Sequence, residues 1–218
     1  MRKTLLSIQD ISEWGYANGY TSRVEGESPK VIIIGETNQD KLQIARQEQL
    51  INMVRPEVIL HGMAGGARCA YTSEDGGQFI YNVVPGSGYN LHDITSGLSG
   101  LYDHMKDWVR TKGLEIVGID LETKALNKKA SEKYPGRKFS EGELMPSSDL
   151  MCEIRQEWMG RLIVSYWPDE NEQLMVIAGS DHTQENSPIY RLLRRDNPKL
   201  AQKLKVNPEY GYVYLNPK

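Results

Sequence analysis

Cysteine is scarce in this 218-residue chain: Cys69 and Cys152 stand apart, with no CxxC pair and no zinc-like spacing. A disulfide framework and a compact cysteine-based metal site are therefore excluded. Two reduced thiols in an intracellular protein are the simplest account, and one Cys69–Cys152 disulfide is the other arrangement two cysteines allow. The net charge of −3 is too small to argue for an oppositely charged partner. Long apolar runs are lacking too. The run that begins at Met1 is cut off by Gln9 and Asp10 and has no signal-peptide core, and no other stretch approaches membrane-spanning length. The expectation is a soluble, cytoplasmic protein with no membrane partner. There is no HExxH pair, and Gly86-Ser87-Gly88-Tyr89 lacks the strand–glycine–helix setting and the Lys-Ser/Thr of a phosphate loop. Ser87 has no nucleophile-elbow context, which argues against a serine hydrolase.

What is present is an alternation of strand-like and helix-like segments within one domain-sized length. Residues 4–14 read as a short helix, broken by Gly15 and Gly19. Residues 31–34 are four consecutive branched apolar residues, suited to a strand covered on both faces. A helix over 40–54 follows, closed by Arg55-Pro56, then a strand at 58–60; this is a βαβ unit. Residues 62–96 hold seven glycines and a strand-like patch at 78–84, which reads as an inserted hairpin or a lid. A helix at 99–111 and a strand at 114–119 come next, then a helix ending near Tyr134. A Pro/Gly-punctuated loop leads to a long helix from about Ser148 to Tyr166. A strand at 174–178, a helix opening at Ser187-Pro188 and a strand-like 210–215 finish the chain. The fold class is α/β: an open, mainly parallel twisted sheet with helices on both faces and an inserted glycine-rich hairpin or lid segment.

Two strands end alike. Val31–Ile34 runs into Gly35-Glu36-Thr37-Asn38, and Leu174–Ala178 runs into Gly179-Ser180-Asp181-His182. If the strands at 31–34, 58–60, 115–119 and 174–178 are parallel, one edge of the sheet carries Glu36, Asn38, His61, Asp120, Glu122, Asp181 and His182. Ligands bind at that edge in open α/β sheets. Converging carboxylates and imidazoles are what a divalent metal or an acid/base pair requires. Taken singly, each such acid is more simply a helix cap or a loop solvator.

These segments resemble, in order and spacing, the superfamily that includes TraB, Tiki, ChaN and the erythromycin esterases. The resemblance is carried by Val31–Asn38, by Arg55-Pro56-Glu57 with the strand after it, by Val117-Gly118-Ile119-Asp120, loosely by Arg155-Gln156-Glu157-Trp158-Met159, and in full by Gly179-Ser180-Asp181-His182. It implies water attack on a carbonyl of a peptide-like or ester substrate, assisted by a divalent metal or by a His/Glu pair. His182 would then be ligand or base, Glu36 its acidic partner, and Arg155 a clamp for an anion or oxyanion. The metal set would be His182, His61, Glu36 and Asp181, with Asn38, Asp120 and His92 contacting the substrate. Two departures stand out: Asn38 occupies the place of the first histidine, and His61 or Gly62 that of a strand-end Glu. Either His61 replaces the lost imidazole, or the fold survives as a non-catalytic ligand-binding or signalling protein.

The remaining candidates carry less. His92 could fold over the strand ends with the glycine-rich segment, while His104 reads as a helix surface residue. Cys69 and Cys152 read as small buried hydrophobes. The basic stretch 191–205 reads as a solvated helix face. Without interleaved aromatics it makes nucleic acid a poor partner, so a small molecule or peptide is the expected ligand. A homo-oligomer is compatible with the composition.

Overall fold

The computed structural model describes residues 5–37, 41–62, 66–73, 77–92, 103–182, 187–193 and 210–218. Eight strands form one mixed sheet: β1 (Tyr20–Glu25), β2 (Ser28–Glu36), β3 (Val58–His61), β4 (Ala67–Thr72), β5 (Gln78–Val83), β6 (Glu115–Gly118), β7 (Leu174–Gly179) and β8 (Tyr210–Pro217). Their order is β1-β8-β2-β7-β3-β6-β4-β5. The middle five, β8-β2-β7-β3-β6, are parallel, and antiparallel pairings add β1 at one edge and the β4–β5 hairpin at the other. The hairpin is built from the glycine-rich segment, so its described residues extend the sheet.

Six helices are described: α1 (Ile8–Ala17), α2 (Lys41–Val54), α3 (Asp103–Lys112), α4 (Thr123–Lys133), α5 (Asp149–Ser165) and α6 (Pro188–Leu193). The parallel strands are apolar on both sides, and consecutive side chains alternate between two cores. Ile32, Ile34, Ile59, Ile116 and Ile177 face α1, α2 and α3. Val31, Ile33, Leu60, Val117 and Val176 face α5 and α6. A third cluster of Leu121, Leu126, Met151 and Ile154 fixes α4 to α5. Among the described residues no helix is long and apolar enough to cross a membrane.

The chain winds out and back. It moves from β2 to β3 to β6 with α2 and α3 on the first face, then returns to β7 and β8 with α5 and α6 on the second. Right-handed crossovers require this change of face when the direction of travel reverses. The return strand β7 is inserted between β2 and β3, so neighbouring strands leave the sheet toward opposite faces. The carboxyl ends of β2, β7 and β3 are therefore the topological switch point, the position where open α/β sheets bind ligands.

Two elements differ from the sequence expectation. β1 has one buried residue in six, so its sequence shows no apolar run. The first helix spans Ile8–Ala17 rather than 4–14, because Ser7 caps it by accepting from the Asp10 amide while the Asp10 side chain accepts from the Ser7 amide.

Candidate functional site at the carboxyl edge of the sheet

Glu36 ends β2 on the α2 side. It is 7% exposed, and the Gln47 amide of α2 donates to it at 3.0 Å. Burial pushes its carboxyl above the usual range, and the bond from Gln47 opposes that rise. One turn earlier on α2, Gln43 donates to the Gly35 carbonyl at 3.4 Å. Two glutamines thus pin this strand end to the helix that follows it.

His61 ends β3 on the same face as Ile59 and is fully buried. Burial drives its pKa down to about 3, and the nearby His104 of α3 adds to the effect, so the ring is neutral. His104 itself is half-buried, edge-on to Trp108 with ring centroids 4.9 Å apart. The register pairs Glu36 with Gly179 but His61 with Ile177, with β7 lying between the two. Strand spacing then puts their backbones roughly 12 Å apart.

The second face gathers the other candidates. Arg155 of α5 grips Asp120 through Nε and Nη2 at 2.9 and 2.7 Å. Asp120 also accepts from the Leu121 amide at 2.8 Å. After β7, Ser180–His182 forms one 3₁₀ turn, in which Asp181 is exposed and His182 half-buried. Burial and the Arg155 charge hold the His182 pKa below its ordinary value, while Asp120 and Asp181 oppose them. Next to Arg155, the nearly buried Gln156 donates to the Asp181 carbonyl at 3.4 Å and faces His182 Nδ1 at 3.5 Å. Its own carbonyl oxygen accepts from Ser187 at the start of α6 at 3.1 Å.

Gly160 allows this meeting of α5 and α6. A Cβ there would lie 2.8 Å from Leu192 and 3.2 Å from the Ile189 backbone. Gln156 was not singled out in the sequence because it is neutral. Its signal was position: with Met159, Gly160 and Ile163 it lies on the buried stripe of α5, where a polar side chain must be hydrogen-bonded.

The structure therefore brings Asp120, Arg155, Asp181 and His182 together and leaves Glu36 and His61 on the other face. Among the described residues no three of His, Cys, Asp and Glu are grouped to hold a metal ion. The set His182, His61, Glu36 and Asp181 is accordingly not one coordination sphere, and His61 is sealed in the core rather than substituted for the imidazole missing at 38. Arg155 is a clamp for Asp120 first. Asn38 lies outside the described residues, as does most of the basic stretch; Arg191, within it, is exposed and 3.4 Å from Glu153. His92 is exposed.

Ser87 is buried as a turn residue. Its carbonyl accepts from the Glu122 amide at 3.1 Å, and its hydroxyl accepts from the Tyr89 amide at 3.5 Å. Gly66 and Gly88, both with positive φ, make room for that turn: a Cβ at the first would meet the Ser87 hydroxyl at 2.7 Å, and at the second the Ala125 side chain at 2.5 Å. Cys69 and Cys152 are free thiols, the first buried and pushed up to about 11 by that burial.

The fold defines an open α/β protein whose candidate residues lie at the topological switch point. No family model, no curated protein and no solved structure matches the chain. The resemblance to the TraB and Tiki superfamily stands on the sequence motifs alone.

Proposed function

We propose that the chain is a non-catalytic ligand-binding protein whose site is the crevice at the carboxyl end of β7, taking a small molecule or peptide through His182 and Arg155. The single observation that carries this reading is the partition of the polar groups. The imidazole of the intact Gly-x-x-His turn sits with Asp120 and Arg155 on the α5 side, whereas the carboxylate and imidazole needed to complete a hydrolytic set are anchored to α2 or buried facing it. Neutral His182 and the Nη1 end of Arg155, which takes no part in the bonds to Asp120, suit ligand recognition.

A second reading, His/Glu-assisted hydrolysis, has one point in its favour: burial raises the Glu36 pKa, which is how a carboxyl is tuned toward base catalysis. Turnover separates the two. With ester and peptide substrates, assayed with and without added zinc, manganese or magnesium, the binding reading predicts no hydrolysis that depends on His182. A rate lost roughly 100-fold or more in both His182→Ala and Glu36→Gln would instead establish the hydrolase.

A further inference from the structure

We infer that Gln156 is a positioning residue that holds His182 in the tautomer with its proton on Nε2. The ring then offers a ligand a hydrogen-bond donor, and the ligand group it selects is a carboxylate or carbonyl oxygen. The choice of ligand rests on the binding reading above; the tautomer does not.

The polarity of the Gln156 amide is fixed from two sides. The Asp181 carbonyl, 3.4 Å from Gln156 Nε2, is able only to accept. On the other side Ser187 Oγ lies 3.1 Å from Gln156 Oε1 and at the same time accepts from the Ile189 amide at 3.2 Å. With a lone pair already engaged, the serine turns its own proton toward Oε1. Both contacts place the amide NH₂ against His182 Nδ1, at 3.5 Å. This distance is at the long end for a hydrogen bond, so the contact orients the ring more than it stabilises it. A neutral imidazole carries one N–H and one lone pair. With Nδ1 facing an N–H donor, the lone pair belongs on Nδ1 and the proton on Nε2.

The consequence is chemical. A histidine that binds a metal or removes a proton through Nε2 must carry its hydrogen on Nδ1, where a carboxylate or carbonyl normally receives it. Here that place is taken by a group that is itself a donor. The charged side chains around the ring are Arg155, Asp120 and Asp181, and the first two are already satisfied by each other. An acceptor oxygen on the ligand meets the Nε2–H and the unused end of the Arg155 guanidinium. A ligand that offers only donors leaves both of these groups without a complement and meets only the exposed Asp181 carboxylate.

The test is a long-range proton–nitrogen NMR correlation on the full chain with labelled histidine at neutral pH. His182 is assigned by the peak missing from His182→Gln. The expected result is the pattern of a neutral ring protonated at Nε2. In Gln156→Glu the carboxylate accepts from Nδ1, so the pattern shifts to a ring protonated there, while Gln156→Met leaves a mixture. Acetate, used as the probe, is expected to move the His182 resonances of the unsubstituted chain and to bind roughly tenfold more weakly to Gln156→Glu. A wild-type ring protonated at Nδ1, or an unchanged pattern in Gln156→Glu, overturns the role of Gln156. The wild-type spectrum decides alone should that variant not fold. The expected tautomer with no response to acetate or to an N-acetyl peptide amide upholds Gln156 and overturns the ligand assignment.

Discussion

Lowering the pH from neutral to about 3 is expected to remove roughly 4–5 kcal/mol of stability through His61 alone. The ring is fully buried and stays neutral in the folded chain down to about pH 3, whereas in the unfolded chain it titrates near 6.5. Between those values the unfolded state binds the extra proton. Stability is therefore intact above about 6.5 and lost progressively as the pH falls toward 3. Carboxylates titrate in the lower part of the same window, so the contribution must be isolated by substitution. His61→Gln keeps hydrogen-bonding capacity and does not titrate. Urea unfolding of both proteins at a series of pH values should show the stability difference shrinking by roughly 1 kcal/mol per pH unit on acidification. A difference that does not change with pH would mean that the ring is accessible to protons in the folded chain, and the site would have to be redrawn to include it.

Lys30→Met is expected to cost about 3 kcal/mol. Lys30 lies near the start of β2, at the edge of the sheet opposite the candidate site, and is fully buried. Its ammonium donates to the carbonyls of Asp169 and Glu172 at 2.7 and 3.0 Å and to that of Glu170 as well. Burial lowers its pKa, but the carboxylates of Glu170, Glu172 and Asp169 counter that trend. One side chain thus closes the loop that feeds β7. Methionine fills similar space and cannot donate, leaving these carbonyls to find water. Gln173, which bonds Leu6 and Pro29, would still hold the end of the loop, so the fold should survive with a lower unfolding midpoint. An unchanged midpoint in chemical denaturation would show that the loop carbonyls are solvated without Lys30.

The parallel core was legible because its strands are short runs of branched apolar residues bounded by glycine, proline and acids, a pattern only a doubly covered sheet requires. The edge strands were not. β1, Tyr20–Glu25, is exposed on most of its length, and β4, Ala67–Thr72, buries small residues within a glycine-rich segment. Hydrophobic periodicity has little to record in either.

Among the candidate residues, the sequence placed Glu36, His61, Asp120 and His182 at the carboxyl edge of the sheet, where the structure has them at or just after the strand ends. It did not indicate the face. Both sides of a buried strand are apolar, so nothing in Val58–His61 distinguishes the side of Leu60 from that of His61. That single alternation separates His61 from His182. Gln156 was invisible for the opposite reason: a neutral amide carries no charge signal, and its importance comes from three partners distant in the chain, Asp181, His182 and Ser187.

The most direct measurement is a chemical-shift map of the backbone amides while the full chain is titrated with small carboxylates and short peptides. A binding site at the β7 crevice predicts that the shifts gather at Asp120–Glu122, Arg155-Gln156 and Gly179–His182, and that they vanish in His182→Ala while the rest of the spectrum is kept. Shifts that gather elsewhere, for example in the cleft of about 410 Å³ lined by Lys129, Trp158 and Arg161 on α4 and α5, or shifts at the crevice that persist without His182, would contradict it.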